Sequence, residues 1–125
     1  MAKRLKVLLV EDDKFSQMAT ERALKKLGCD VVVAGSGDAA LDNVFKAVYD
    51  LILMDLGLTD TNGFNVVQEI KMQSALNRQT PIIALTAHSD ELYRTQAKQI
   101  GMDDFLSKPL RLNELEKLLE QLATQ

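Results

Sequence analysis

The 125-residue sequence predicts a doubly wound α/β domain with a five-stranded parallel sheet. Short apolar runs alternate with longer amphipathic segments along the whole chain, which is typical of consecutive strand–helix units. The runs KVLLV and LILM are apolar on consecutive residues, as strands covered by helices on both faces should be. Hydrophobic residues make up 46% of the chain and charged residues 26%, so a buried core is expected and disorder is not. We therefore expect a single domain over residues 1–125.

Five apolar runs are predicted to be strands: Leu5–Val10, Asp30–Ala34, Leu51–Met54, Pro81–Leu85 and Asp104–Leu106. A helical segment follows each of them, and right-handed crossovers then leave few possible strand orders. We expect the order 2-1-3-4-5, the flavodoxin-like (βα)5 arrangement. In this arrangement the strand order reverses between the first and third strands.

The helices are predicted from apolar spacing and from residues that start or stop helices. The first helix is expected to bury an apolar stripe formed by Phe15, Ala19, Ala23 and Leu27. The last helix is expected to bury a stripe formed by Leu112, Leu115, Leu119 and Leu122. Gly28 is a stop signal for the first helix and Gly63 opens the third. Ser36 and Ser89 are predicted N-caps of the second and fourth helices.

Acidic residues follow two neighbouring strands at the edge where ligands gather in such sheets. Glu11 and Asp12 follow the first strand and Asp55 follows the third. Three carboxylates this close cannot all stay ionised without a cation, and an oxygen-rich pocket with room for water suits Mg²⁺. We therefore interpret Glu11, Asp12 and Asp55 as a magnesium site. Asp13 is one residue further on and is predicted to cap the first helix.

Two further polar residues are expected at the same edge. Thr86 ends the fourth strand, and Lys108 follows the fifth strand directly before Pro109. A cis bond at Pro109 could turn Lys108 back over the strand ends. A carboxylate can accept a phosphoryl group when a metal ion, an ammonium and a hydroxyl neutralise the charge on that group. The set therefore indicates phosphoryl handling, with Asp55 as the acceptor.

Composition argues against several other classes of protein. The net charge of −3 offers no electrostatic footprint for nucleic acid, so direct DNA binding is not expected. A single cysteine, Cys29, excludes an internal disulfide and fits a reducing compartment. His88 is the only histidine, which is too few for a histidine-rich zinc site. No run is long enough to insert into a membrane and no signal peptide opens the chain, so a cytoplasmic location is expected.

Four motifs, VLLVEDD, DLILMDL, ALTA and DDFLSKPL, occur in this order along the chain. Together they resemble the receiver (response-regulator) domain of bacterial two-component signalling over nearly the whole sequence. The strand order 2-1-3-4-5 is a known property of such proteins, so it is not an independent deduction. The ending GMDDFLSKPL is similar to receivers attached to hybrid histidine kinases, and stand-alone regulators also carry it.

The resemblance implies that Asp55 takes a phosphoryl group from a phosphohistidine on a histidine kinase or a histidine phosphotransfer protein. It implies that Mg²⁺ is held by Glu11, Asp12, Asp55 and the backbone carbonyl of Gly57. Thr86 and Lys108 would contact the phosphoryl oxygens. The chain would catalyse its own phosphorylation in a phosphorelay and would not be an enzyme acting on other substrates.

The resemblance also implies a switch. Phe105 matches an aromatic position that turns inward as Thr86 moves toward the phosphate, which shifts the population between two packings. The output is expected to be an altered face for a downstream effector protein or domain. Thr59 stands where the family usually has proline, which is expected to loosen that loop. Gly57 and His88 occupy positions that tune dephosphorylation in the family.

Three alternatives belong to other functional classes. Gly35, Gly37 and Ala40 match a dinucleotide-binding fingerprint, with Asp55 about 20 residues beyond. Asp38 would then place a negative charge where the pyrophosphate should sit. A phosphatase with an aspartyl-phosphate intermediate needs a second acid at the position of Gly57. A receiver that acts as an interaction module without phosphorylation would not need the complete acidic set.

Overall fold

The computed structural model describes residues 4–87, 91–108 and 110–123. Within these ranges, strands and helices alternate throughout. The strands are β1 (Lys6–Val10), β2 (Asp30–Ala34), β3 (Leu51–Asp55), β4 (Ile82–Thr86) and β5 (Asp104–Ser107). The helices are α1 (Lys14–Lys26), α2 (Gly37–Lys46), α3 (Gly63–Gln73), α4 (Glu91–Gln99) and α5 (Leu112–Ala123). Each predicted strand is confirmed, and no predicted strand end differs from the observed one by more than one residue.

All five strands pair in parallel in the order β2-β1-β3-β4-β5, which confirms the predicted fold class. The strand order reverses between β1 and β3, as expected. Val10 at the end of β1 pairs with Met54 in β3, and Asp55 pairs with Leu85 in β4. Residues that directly follow β1 are therefore level with Asp55 at the carboxyl edge of the sheet.

Helices cover both faces of the sheet and divide the core into two layers. Alternate residues of each strand point to opposite faces, so Leu8 packs with α2 and α3 while Leu9 packs with α1 and α5. Three strands have a neighbour on each side, and two of them, β3 and β4, are buried at every position. This explains why their sequences are apolar without alternation.

The predicted apolar face of α1 is wrong for two of its four residues. Phe15 is 85% exposed and Ala19 is also exposed, while Thr20 and Leu24 form the buried face. Both sets have helical spacing and differ by a rotation of one residue about the helix axis. Leu24 decides the rotation, because its side chain buries far more apolar area than an alanine does.

The other helix signals are largely confirmed. Asp13 caps α1 by accepting the Ser16 amide at 2.8 Å, and Ser36 caps α2 through the Ala39 amide at 3.1 Å. Gly28 follows α1 with a φ of +89°, a left-handed conformation that favours glycine.

In α5, Leu115 and Leu119 are buried, whereas Leu112 at its first turn is 41% exposed. The predicted cap Ser89 lies outside the described residues. None of the described helices is long and apolar enough to cross a bilayer.

A buried amide fastens the segment between α3 and β4 to the end of α2. The Asn77 side chain is fully buried and donates to the carbonyls of Val44 and Ala47, each at 2.7 Å. Its oxygen accepts the amide N–H of Tyr49 at 2.9 Å. A buried donor or acceptor that loses its partner costs about 1–3 kcal/mol. The Asn77 amide therefore stabilises three backbone groups that no regular hydrogen-bond ladder serves.

We expect Asn77→Ala to lower the free energy of unfolding by about 3 kcal/mol, because it leaves the Ala47 carbonyl and the Tyr49 amide without their partner, while the Val44 carbonyl keeps the bond from Ser74 Oγ. Urea denaturation followed by circular dichroism measures the change. Asn65→Ala on the exposed side of α3 is the matched control and should change stability by less than about 0.5 kcal/mol. Equal effects of the two substitutions would contradict this account.

Candidate functional site

The carboxyl edge of the sheet gathers three acids from the ends of two strands. Glu11 and Asp12 follow β1, and Asp55 ends β3. One oxygen from each carboxylate lies within 4.8 Å of the others. Glu11 is 1% exposed and Asp55 is 5% exposed, so two of the three charges are withdrawn from water. The parallel register produces this cluster, as the sequence predicts.

Lys108 inserts its ammonium between the two buried acids. Its Nζ lies 2.6 Å from Glu11 Oε1 and 3.3 Å from Asp55 Oδ2. The backbone N–H of Lys108 donates to the carbonyl of Thr86 at 2.8 Å, which ties the end of β5 to the end of β4. Thr86 is buried at the same edge. The structure therefore brings Lys108 to the acids and places Thr86 at the same edge of the sheet, while Pro109 lies outside the described residues.

Among the three acids, the Glu11 carboxyl has the environment that least favours its ionised form. Burial, the largest cause, and the adjacent Asp55 carboxyl together raise its pKa from 4.5 to about 7, against the opposing effect of Lys108. Glu11 Oε2 has no hydrogen-bond partner among the described residues. Two carboxylates have only acceptor atoms to offer each other, so a proton or a cation is needed between them.

Asp55 and Lys108 are both held in their charged forms. Burial alone would raise the pKa of Asp55, but the neighbouring Glu11 carboxyl, the hydrogen bond from the Gly57 amide and the charge of Lys108 lower it overall. The Gly57 N–H donates to Asp55 Oδ1 at 2.9 Å. Burial alone would lower the pKa of Lys108, but its contacts with Glu11 and Asp55 raise it overall. Asp55 is thus an ionised carboxylate beside a cation.

The residues present fit a divalent cation with a preference for oxygen. Glu11, Asp12 and Asp55 offer only carboxylate oxygens, and one oxygen of Glu11 is buried without a partner. Mg²⁺ binds through few carboxylates and keeps several waters, which this partly open cluster allows. Asp12 is half-buried and forms the open side of the cluster.

Sequence reasoning missed the contacts that hold the loop between β3 and α3. The amide of Thr59 donates to Asp12 Oδ2 at 2.7 Å, a bond that a proline at this position could not make. The Asp60 carboxylate accepts the amide of Gly37 at 3.0 and 3.1 Å. In the sequence, the only signal for the contacts of Thr59 and Asp60 is the polar composition of TDTN, which does not specify their partners.

A further contact supports the turn after β1. Gln17 on α1 donates to the carbonyl of Glu11 at 2.5 Å.

The contact with Asp60 also explains the dinucleotide-like fingerprint. The amide of Gly37 at the start of α2 faces the chain's own carboxylate, at the place where a pyrophosphate would have to bind. A side chain on residue 37 would collide with the Thr61 methyl group and crowd Val66. The glycine therefore serves close packing between α2 and the loop, and the dinucleotide interpretation is not supported.

Phe105 on β5 is half-buried near the site. Its ring packs against the core cluster, and the guanidinium carbon of Arg94 on α4 lies 5.3 Å from the ring centroid. A cation over an aromatic face is attracted by the ring quadrupole. The ring thus lies between the core and α4, and Arg94 covers its exposed side.

A five-stranded 2-1-3-4-5 sheet with an acidic cluster and a lysine at its carboxyl edge defines a recognisable class. Residues 7–120 match the response regulator receiver domain family. The chain belongs to this family, whose members are the receiver domains of two-component signalling.

Individual relatives support the same assignment. The chain is 36% identical over 117 residues to the aerobic respiration control sensor protein ArcB of Escherichia coli, covering 94% of the chain and 15% of that protein. It is 36% identical over 110 residues to the transcriptional regulatory protein CpxR of Escherichia coli, covering 88% of the chain and 45% of that protein. The chain therefore spans less than half the length of these two relatives.

A solved structure matches along its whole length. This is the receiver domain of the sensor histidine kinase PA1611 from Pseudomonas aeruginosa, with magnesium ion coordinated in its active site cleft. The two share 35% identity and a TM-score of 0.89, over 98% of this chain and 100% of that one.

The raised pKa of Glu11 makes the stability of the metal-free protein depend on pH. A carboxyl whose pKa is higher in the folded than in the unfolded state contributes stability below about pH 4.5, and this contribution is lost as the pH rises to about 7. Glu11→Gln, which carries no charge, should therefore be more stable than the wild type at pH 8 by roughly 3 kcal/mol.

Urea unfolding in a chelator at pH 5 and at pH 8 measures this difference, which should be several times larger at pH 8. The control is Glu69→Gln on the exposed face of α3, which should give the same small difference at both pH values. A Glu11→Gln protein that is less stable than the wild type at pH 8 would show that the buried charge is not costly.

Proposed function

We propose that this chain is a phosphoacceptor receiver in which Asp55 takes a phosphoryl group from a phosphohistidine. The observation that carries the proposal is the position of Asp55, which is buried, ionised and bonded to Lys108 and to the Gly57 amide, with two further acids within 4.8 Å. A structural carboxylate would need one partner of opposite charge. Two additional acids raise the electrostatic cost of burying Asp55. This cost is offset in a site where the acids bind a cation and the cation in turn binds an anionic group.

The chemistry uses the charges already present. An Asp55 carboxylate oxygen attacks the phosphorus of the donor and forms a P–O bond, while the P–N bond breaks and its electron pair returns to the imidazole. Mg²⁺, held by Glu11, Asp12, Asp55 and the Gly57 carbonyl, would neutralise phosphoryl oxygens. Lys108 and Thr86 take the remaining oxygens. In this sense the chain catalyses its own phosphorylation.

Lys108 has a second task in the metal-free site. Its 2.6 Å contact with Glu11 supplies the positive charge that the buried acid requires. A metal ion held by Glu11 would supply that charge instead, and the Lys108 ammonium could then turn toward a phosphoryl group on Asp55. The same lysine thus stabilises the resting site and the phosphorylated one.

The proposed output is a change at the face formed by α4 and β5. Thr86 moves toward the phosphoryl group, and Phe105 repacks into the space that Thr86 leaves. Arg94 covers the Phe105 ring, so it favours one position of that ring before phosphorylation. The proposed partners are a histidine kinase or histidine phosphotransfer protein as donor, and an effector protein or domain that binds the altered face.

Acetyl phosphate or phosphoramidate should add one phosphoryl group to the wild type, and only when Mg²⁺ is present, because both stand in for the phosphohistidine donor. Intact-mass spectrometry detects the product. Asp55→Asn should remain unlabelled, and Asp42→Asn on the surface of α2 should be labelled like the wild type. Equal labelling of the wild type and Asp55→Asn would refute the assignment of Asp55. No labelling of any protein would favour an interaction module that works without phosphorylation.

Mg²⁺ should raise the thermal unfolding midpoint of the wild type, because a ligand that binds only the folded state stabilises it. The shift should grow with Mg²⁺ concentration and be much smaller for Glu11→Gln, which replaces one proposed carboxylate ligand with a neutral and weaker amide oxygen. Differential scanning fluorimetry measures both. Glu69→Gln is again the control and should shift like the wild type. A full Mg²⁺ shift in Glu11→Gln would remove Glu11 from the ligand set.

A further inference from the structure

The loop between β3 and α3, residues 56–62, is fastened at two adjacent residues. The Thr59 amide donates to Asp12 Oδ2 at 2.7 Å, and Asp60 accepts the Gly37 amide with both carboxylate oxygens at 3.0 and 3.1 Å. The amide of Asp38 also lies 3.4 Å from Asp60 Oδ2. The loop is thus joined to the turn after β1 and to the first turn of α2.

The fit between Asp60 and α2 depends on the absence of a side chain at residue 37. A Cβ on Gly37 would collide with the Thr61 methyl group and lie 3.0 Å from Val66 Cγ2. The glycine lets the loop approach the helix closely enough for the Asp60 carboxylate to reach its amides. Free N–H groups and the helix dipole at this end favour a negative charge.

This attachment fixes the part of the loop that borders the acids. Leu56 and Leu58 are buried in the core cluster, and Gly57 between them is exposed. The Gly57 amide bonds to Asp55, and Thr59 two residues later bonds to Asp12. Asp60 is the next residue, so its hold on α2 restrains the segment in which both contacts with the acids occur.

We propose that Asp60 is a positioning residue for the metal site: by binding the start of α2 it keeps the Thr59 amide on Asp12 and Gly57 beside Asp55. The inference rests on the proposed function, since it assumes that these acids hold Mg²⁺. A hydrogen bond to one oxygen of a ligating carboxylate orients the other oxygen, and such supporting contacts strengthen metal binding. Without Asp60, ordering of the loop would become part of the cost of binding.

The test measures Mg²⁺ affinity of the full chain by isothermal titration calorimetry. Asp60→Ala should weaken Mg²⁺ binding by about 10-fold. Asp60→Asn keeps an oxygen that can accept the Gly37 amide and should recover most of the affinity. Asp38→Ala is the matched control. It removes a negative charge from the turn of α2 that Asp60 binds, and Asp38 approaches the loop through its backbone amide and not through its side chain. It should bind within about 2-fold of the wild type.

A second measurement separates positioning from a general loss of stability. Amide hydrogen exchange of the metal-free protein should be faster at Gly37 and Thr59 in Asp60→Ala than in the wild type, with little change in the core strands. Circular dichroism checks that each variant is folded. If Asp60→Ala does not fold, Asp60→Ser, whose hydroxyl is too short to bridge to α2, should give the same loss of affinity.

The outcomes distinguish this inference from the proposed function. A wild type that binds Mg²⁺ and an Asp60→Ala variant that binds it equally well overturn the role of Asp60 alone. Asp60→Asn and Asp38→Ala that are both as weak as Asp60→Ala would show that only charge matters, which also overturns it. A wild type that binds no Mg²⁺ overturns the metal site itself, and the role of Asp60 with it.

Discussion

The close approach of three carboxylates at the carboxyl edge of the sheet is the constraint on which the site depends. Glu11 and Asp55 are buried, so their mutual repulsion is poorly screened by water. Lys108 lies between them and supplies one positive charge for two acids. One negative charge is left without a counter-charge. It is reflected in the raised pKa of Glu11 and in Glu11 Oε2, which has no hydrogen-bond partner in the described part of the chain. In the proposed function, a divalent cation at this cluster would replace the proton on Glu11 or its contact with Lys108.

The parallel sheet connects this cluster of charges to several separate strands and helices. Parallel pairing places the carboxyl ends of all strands at one edge, so residues that are far apart in the chain meet there. The backbone bond from Lys108 to Thr86 links β4 and β5 at that edge, and Phe105 lies three residues before Lys108 on β5. In the proposed switch, a change in charge at Asp55 would reach α4 through Lys108, the end of β5 and Phe105, whose ring lies beside Arg94. Coupling of this kind needs an element with two packings, and Phe105 beside Arg94 is the candidate.

Loop 56–62 contacts both the acidic cluster and the start of α2. Its contacts with Asp12 and with the start of α2 replace the stiffness that a proline at residue 59 would provide. Thr59 has a backbone N–H that proline lacks, and this N–H donates to Asp12. The Gly37 that allows the contact with Asp60 is the residue that gave the chain a dinucleotide-like sequence. Pattern matching cannot separate these two uses of glycine, because both require close approach of backbone to a negative charge.

The amino-acid sequence predicts the fold class, the five strands, the caps Asp13 and Ser36, and the gathering of Glu11, Asp12, Asp55 and Lys108 at the edge of the sheet where Thr86 ends β4. These follow from periodicity, local capping chemistry and parallel topology, which are properties of short segments and of strand order. The buried face of α1 depends instead on packing in the folded chain, since Phe15 and Leu24 both lie on helical stripes that the sequence allows. The tertiary structure also decided that Lys108 pairs most closely with Glu11, and that Thr59 and Asp60 fasten the loop. Such contacts depend on distances between elements remote in the chain, and no local pattern of residues encodes those distances.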